Sequence, residues 1–327
     1  MSVDGDDGET TTLSPDDAFA VLGNGTRMDI LRTLGEADGP LSFSELRGRV
    51  GMRDSGQFNY HLERVVGHFV RKGEEGYALR QAGRRIVEAV LSGAVTEAPV
   101  IEPTRIDQPC HYCGSPIEVS FHSDRVVNYC TECSGKSERP TDDSGEFVPA
   151  ENGYLGALPL PSAGVEGRTV PEVFRVAWTW TNIELLSEAS GICSRCSAPL
   201  EESVSVCEAH DEDEGLCERC GNRHAVEFYA ACTNCINDLR GPFVFRLVAD
   251  TDLLAFLTDH GLNPIAPSGE AIHRVDRMHM NYDEEVRSVD PFDARFTFTL
   301  DGESLTLTVD DDLSVVDATR RPASEID

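Results

Sequence analysis

Apolar positions along the first ninety residues recur at helical spacing, broken at intervals by capping and turn residues. Ser14 followed by Pro15 forms a helix start, and Ala18, Phe19, Val21 and Leu22 supply its apolar face. Asn24 and Gly25 end that helix. Thr26 is expected to cap a second one, which buries Met28, Ile30, Leu31 and Leu34. Leu41 to Phe43 reads as a short strand, and Ser44 as the cap of a third helix carrying Leu46 and Val50. After a turn at Gly51, a fourth helix spans about Asp54 to Val66. Phe69 to Lys72 and Tyr77 to Arg80 alternate around Gly73, Glu74, Glu75 and Gly76, which predicts a β-hairpin. A last helix covers Gln81 to about Leu91.

This succession predicts a winged helix-turn-helix over 14–92, preceded by a disordered acidic tail over 1–13. At about 100° per residue, Phe58, Leu62, Val65, Val66 and Phe69 fall on one stripe of the fourth helix or its continuation. The opposite face carries Arg53, Gln57, Tyr60 and Arg64, with Gly56 leaving room for close approach and Asn59 and His61 flanking the stripe. Gln suits an adenine edge and Arg a guanine edge in the major groove. Arg71 and Lys72 at the hairpin base suit phosphates, whereas Glu74 and Glu75 at its tip would be repelled by them.

Beyond residue 92 the pattern weakens. Residues 93–109 and 138–169 read as proline-containing linkers, and 170–189 as a helix. A C-terminal α+β region over 241–318 contains a helix near Asp252 to His260. Its strands Arg295 to Leu300 and Ser304 to Val309 are joined by Asp301 and Gly302, and 319–327 is a tail. The fold class expected is therefore multidomain α+β.

Charge sharpens the reading of the first module. The chain has 58 acidic and 28 basic residues, a net charge of −30, and only two lysines, Lys72 and Lys136. Such acidity with so little lysine resembles proteins of salt-loving archaea, whose carboxylates hold hydration and prevent association. Residues 24–85 depart from it, with eleven bases against eight acids. A polyanionic partner gives a physical reason for one basic island. No apolar run reaches the roughly 18 residues of a membrane span, and residues 1–12 lack the zones of a signal peptide, so a cytoplasmic location is expected.

Eleven cysteines carry the remaining chemistry, ten of them in five C-x-x-C pairs. Cys110, Cys113, Cys130 and Cys133 form a zinc-ribbon pattern over 110–137. The hairpin between the pairs runs from Ile117 to Phe121, turns at Ser123 and Asp124, and returns from Val126 to Tyr129. The second set, within 170–240, holds Cys193, Cys196, Cys207, Cys217, Cys220, Cys232 and Cys235, and His210 completes eight ligands. Nearly equal arms, with Val204 and Val206 alternating on one and Val226 and Phe228 on the other, suggest one hairpin with a site at each end. The base site would be Cys193, Cys196, Cys232 and Cys235, and the tip site Cys207, His210, Cys217 and Cys220. Sequential ribbons, cross-bracing, or Cys207 and His210 as spectators remain open. About three structural Zn²⁺ per chain follow from the ligand count. His224 reads as a solvated loop histidine, and His273, Met278, His279 and Met280 as ordinary packing in a strand or loop. Every plausible ligand set closes at four and no catalytic constellation stands out, so an enzyme is not expected.

The segments GNGTRMDILRTL and LSFSELRGRVGMRDSGQFNYHLERVVGHFVRKGEEGYALRQAG resemble the ArsR-like winged helix-turn-helix regulators of haloarchaea over about 75 residues. The phrase from Gln57 to Leu62, with Tyr77 and Gly83, carries the likeness. It implies a homodimeric transcription regulator that binds double-stranded DNA, with Gln57, Asn59, Tyr60 and Arg64 on the recognition helix. No cysteine precedes Cys110, so the metal-sensing pair typical of that group is absent from this segment. A competing expectation is a zinc-ribbon adaptor in which the winged helix contacts protein.

Overall fold

The computed structural model describes residues 13–93, 99–137, 153–211, 215–267 and 269–322. It is mixed α+β, with several small antiparallel sheets. It divides into two compact units, Met1–Glu97 and Ala98–Asp327. The expected tail over 1–13 lies outside the described residues except for Leu13.

In the first unit the elements are α1 (Pro15–Leu22), α2 (Gly25–Gly35), α3 (Phe43–Val50), α4 (Ser55–Val65), β1 (Val70–Gly73), β2 (Gly76–Leu79) and α5 (Gln81–Leu91). Local chemistry fixes the helix starts. Ser14 accepts from the Asp17 N–H, and the Asn24 side chain accepts from Arg27 N–H, so Asn24 caps α2 in place of Thr26. Ser42 and Glu45 form a reciprocal capping box at α3, so Ser44 lies inside the helix. That earlier start leaves Leu41 as a single antiparallel bridge to Tyr77 rather than a strand through Phe43. The close crossing explains Gly76: at φ 128°, a Cβ there would lie 2.4 Å from the Leu41 carbonyl oxygen. Ile30, Leu31, Leu46, Phe58 and Val65 are fully buried and close the core. Phe43 meets Phe58 edge-on at 5.2 Å.

The second unit holds three sheets. The first has the order β3 (Ile101–Pro109), β4 (Pro116–His122), β5 (Arg125–Cys130) and β6 (Tyr154–Pro159). Ser123 and Asp124, both at positive φ, turn β4 into β5 as expected. A 3₁₀ turn at Ser162–Gly164 leads into α6 (Val170–Glu188), which packs on this sheet. The second sheet is β7 (Leu200–Val206), β8 (Val226–Cys232) and β9 (Asp238–Pro242). After α7 (Val244–Leu247), α8 (Thr251–Asp259) and α9 (Glu270–Met280), the third is a meander of β10 (Asp283–Val289), β11 (Phe292–Leu300), β12 (Glu303–Val309) and β13 (Val315–Arg321). No helix among the described residues is long and apolar enough to cross a membrane.

Several expectations are corrected here. Residues 101–109 are a strand, not linker, because Pro103 and Pro109 sit on an edge, where a missing N–H leaves the central ladder intact. Within the second expected linker, β6 forms the opposite edge by burying Tyr154 and Leu155, while residues 138–152 lie outside the described residues. In the expected tail, residues 319–321 belong to β13, and 323–327 lie outside the described residues. The segments 110–137, 170–240 and 241–318 are not separate domains. Phe121, Val173, Phe228, Phe243, Val275 and Phe296 join one continuous core. Phe243 is the junction, edge-on to Phe228 at 6.2 Å and stacked on Phe296 at 4.4 Å.

Candidate functional site

Three cysteine-rich groups dominate the second unit. In each, the four ligand atoms lie within 4.8 Å of one another: Cys110, Cys113, Cys130 and Cys133; Cys193, Cys196, Cys232 and Cys235; and Cys207, His210, Cys217 and Cys220. The hairpin geometry explains the last two. β7 pairs with β8 from Leu200 opposite Cys232 to Val206 opposite Val226, which puts one group at the base and one at the tip. The nearly equal arms read from the sequence place the ligands in this way, and the sequential and cross-braced alternatives do not occur.

The spacing fits a bound ion. A tetrahedral metal such as zinc with thiolates at about 2.3 Å has S–S edges of about 3.8 Å. The Sγ–Sγ distances are 3.8 Å for Cys110 and Cys133, 3.4 Å for Cys113 and Cys130, 3.7 Å for Cys193 and Cys235, and 3.4 Å for Cys196 and Cys232. In the tip group, His210 Nδ1 stands 3.5 Å from Cys220 Sγ, and its Nε2 lies 3.1 Å from the Arg223 carbonyl. That carbonyl accepts the Nε2–H, so Nδ1 keeps a lone pair for the metal. Backbone N–H groups of Tyr112, Glu132, Asn234 and Cys235 point at cysteine sulfurs, which favours thiolate. Burial raises the Cys110 thiol, whereas Cys196 falls to about 6, foremost through its hydrogen bond with the Ala198 backbone.

Each group is also tied to the surrounding fold. The Cys110 carbonyl lies 3.3 Å from His273 Nε2 on α9. At the end of α6, Glu188 Oε1 accepts from Ser194 and Asn237, one beside each base knuckle. An antiparallel bridge, Ser137 to Asn222, joins the strap after Cys133 to the strap after Cys220. Across it Arg223 N–H donates to the Lys136 carbonyl at 3.1 Å and Arg223 Nε–H to Gly135 at 3.1 Å.

Two histidine expectations change. His224 is buried, stacked on Tyr282 at 4.3 Å, with Nε2 3.0 Å from the Met280 carbonyl. Glu284 completes the knot by accepting from Ala225 N–H, Val226 N–H and the Tyr282 hydroxyl. Burial pushes the Glu284 carboxyl up to about 7 and holds His224 down to about 4. His273, Met278, His279 and Met280 lie on α9, not in a strand or loop. Met278, His279 and Met280 are buried.

In the first unit, α4 separates its faces as the sequence pattern predicts. Phe58, Leu62, Val65 and the following Phe69 are buried, while Gly56, Gln57, Tyr60 and Arg64 are exposed. The Arg64 guanidinium lies 5.3 Å from the Tyr60 ring centre. Arg53 is exposed but not helical. Asp54 is the N-cap, its Oδ1 accepting from Gly56 and Gln57 N–H, so Arg53 precedes the helix. Asn59 already donates to Glu63 at 2.8 Å. Arg71 and Lys72 are exposed on β1, with Lys72 5.6 Å from the Tyr77 ring.

Sequence reasoning missed Lys136, Trp178, Arg223 and Asp276, which the folded second unit brings to one cavity wall. The signal available was compositional: Lys136 is one of two lysines in the chain.

The fold and these groups define a mixed α+β protein with three cysteine-rich sets able to hold metal. The chain belongs to a family described as a domain of unknown function, DUF7351, whose model matches residues 107–315. A second family model, also of unknown function, DUF7347, matches residues 15–90. The two matches fall in separate units. No curated protein and no solved structure matches the chain.

Proposed function

We propose that the chain is a DNA-binding transcription regulator of the ArsR-like winged helix-turn-helix type, and that its cysteine-rich sets hold about three structural Zn²⁺ ions. The observation that carries the first part is the exposed face of α4, Gln57, Tyr60 and Arg64, inside the one basic stretch of a chain with net charge −30. The helix enters the major groove, with Gln57 and Arg64 reading base edges and Tyr60, Arg71 and Lys72 steadying the backbone. Arg53, ahead of the helix, serves as a phosphate contact, and Asn59 reaches a base only by releasing Glu63. Glu74 and Glu75 keep the hairpin tip out of the minor groove. A homodimer reads two half-sites one or more helical turns apart. The zinc part rests on twelve residues that form three four-membered sets, the ligand number of a structural zinc site.

The test begins with genomic sites recovered by chromatin immunoprecipitation, followed by gel shifts at constant high KCl. Gln57→Ala and Arg64→Ala should each weaken binding by about 1–3 kcal/mol and relax preference at a single base pair. Undiminished specific binding in the double variant would overturn the groove assignment. Protein capture with no DNA occupancy would favour an adaptor. Metal analysis of the full chain should return about three zinc ions; one or none would remove the second part of the proposal.

A further inference from the structure

The second unit contains an open-mouthed cavity of about 1040 Å³, at the upper end of small-molecule sites. Its wall joins the first sheet, the second sheet, α6 and α9, through Tyr154, Trp178, Tyr229, Phe245 and His279 among others. Its charges are unlike those of the rest of the chain. Six bases line it: Arg125, Lys136, Arg195, Arg219, Arg223 and Arg240. They face an equal number of acids, whereas the whole chain has about two acids per base.

Most of those acids are already engaged, Asp238 among them. Glu184 pairs with Arg195 and Glu227 with Arg240, both at 2.8 Å. Glu188 accepts from Ser194 and Asn237, and Asp276 accepts from Trp178 Nε1–H at 2.5 Å. Among the described residues neither Lys136 nor Arg223 forms a salt bridge, and Glu227, the carboxylate that acts on Lys136 through space, is already paired with Arg240. Each of these two cations instead lies over aromatic faces. Lys136 Nζ is 5.6 Å from the Tyr154 ring and 5.8 Å from the Phe245 ring, and the Arg223 guanidinium is 4.0 Å from Tyr112. The Ser137–Asn222 bridge brings the two residues together on adjacent straps, the Arg223 N–H donating to the Lys136 carbonyl. Four further wall residues, His111, Asn128, Thr181 and His279, each carry a buried side-chain polar atom with no hydrogen-bond partner. Buried cations with no salt-bridge partner of their own and unsatisfied polar atoms are costly in a packed interior. A ligand that supplies negative charge and acceptors offsets both.

We propose that this cavity binds a small aromatic carboxylate, its carboxylate held by Lys136 and Arg223 and its ring against Trp178 and the neighbouring aromatic side chains. A phosphate ligand fits less well. Phosphate sites use helix N-termini and converging backbone N–H groups, whereas α6 and α9 reach this wall at Trp178, Asp276 and His279, all well beyond their first turns, and α7, whose start does line it, is a single four-residue turn. The inference does not depend on the first unit binding DNA.

The chain carries its own reporter. Of its two tryptophans, Trp178 lines the cavity and Trp180 is 43% exposed. In the full-length, metal-loaded Trp180→Phe variant, benzoate and salicylate should change Trp178 emission saturably at constant KCl, and neutral benzyl alcohol should bind about tenfold or more weakly. Lys136→Met should weaken benzoate by a similar factor, with metal content unchanged and the melting temperature of the ligand-free protein not lowered, and Lys136→Arg should restore most of the affinity. Binding of inorganic phosphate in preference to the arenes would overturn the aromatic assignment. No saturable change with either carboxylate, or equal affinity in parent and Lys136→Met, would overturn the site. Loss of metal from Lys136→Met without any change in benzoate affinity would also overturn it, by assigning the cation to the thiolates instead.

Discussion

The two units solve the same stability problem with different materials. The first, residues 13–93 as described, contains no cysteine and closes around aliphatic side chains with Phe43 and Phe58 in edge contact. Arg53, Arg64, Arg71 and Lys72, with Gln57 and Tyr60, are turned outward. In the second unit, every sheet but the last has a cysteine-rich group at one or both ends of a hairpin, and two cations that form no salt bridge among the described residues line the cavity. A hydrophobic core alone lets a small unit commit its whole surface to contact. A core assisted by side-chain clusters can leave a large interior space open without collapsing onto it.

With the zinc loading proposed above, the largest effect that separates the units should come from removing metal. Structural zinc contributes about 10–16 kcal/mol in small zinc-binding peptides, which rivals the whole stability of an ordinary domain. A strong thiol-competing chelator should therefore abolish amide-exchange protection across β4, β5, β7 and β8 while α2, α3 and α4 keep theirs. Equal loss in both units would break the comparison. Phe58→Ala probes the other side. Truncating this fully buried ring should cost about 3–5 kcal/mol, seen as lost protection in α2 to α4 with unchanged Trp178 emission. A smaller effect concerns buried acids. Burial pushes the Asp276 carboxyl up to about 7, as it does Glu284. From about pH 4 to pH 7 the folded chain keeps protons that the unfolded chain has released, so these groups lower stability as pH rises through that window. Asp276→Asn should remove about half of that fall, measured by denaturant unfolding relative to the parent so that thiol titration cancels. An unchanged slope would mean that Asp276 is ionised throughout.

What could be read from the sequence follows the range of the forces involved. The division of α4 into a buried and an exposed face depends on a period of a few residues, and Phe58, Leu62 and Val65 suffice to set it. The pairing of the eight ligands around β7 and β8 was legible because nearly equal arm lengths constrain a hairpin. Caps were less legible: Asn24 and Ser42 compete with Thr26 and Ser44 one turn or less away, and the choice depends on which N–H each side chain reaches. Burial of His224 was not legible at all, since its stacking partner Tyr282 arrives 58 residues later. Nor was the merger of the C-terminal segments, which rests on Phe243 meeting Phe296 across the core. Pro103 and Pro109 argued for linker because sequence does not reveal which strand is an edge.

The bridge between Ser137 and Asn222 also sets an order of assembly. It closes a loop of about 85 residues, against 16 between the two knuckles of the first hairpin, an added chain-entropy cost of about 1.5 kcal/mol. Short hairpins form first and long-range pairings follow. The bridge therefore forms after the ribbon at Cys110–Cys133 and the tip at Cys207–Cys220 have each closed, and Lys136 and Arg223 become neighbours later than either cysteine-rich group. Refolding followed by Trp178 emission should consequently lag behind metal capture by the cysteines, because the cavity wall rests on pairings of longer range than these hairpins, Trp178 with Asp276 among them.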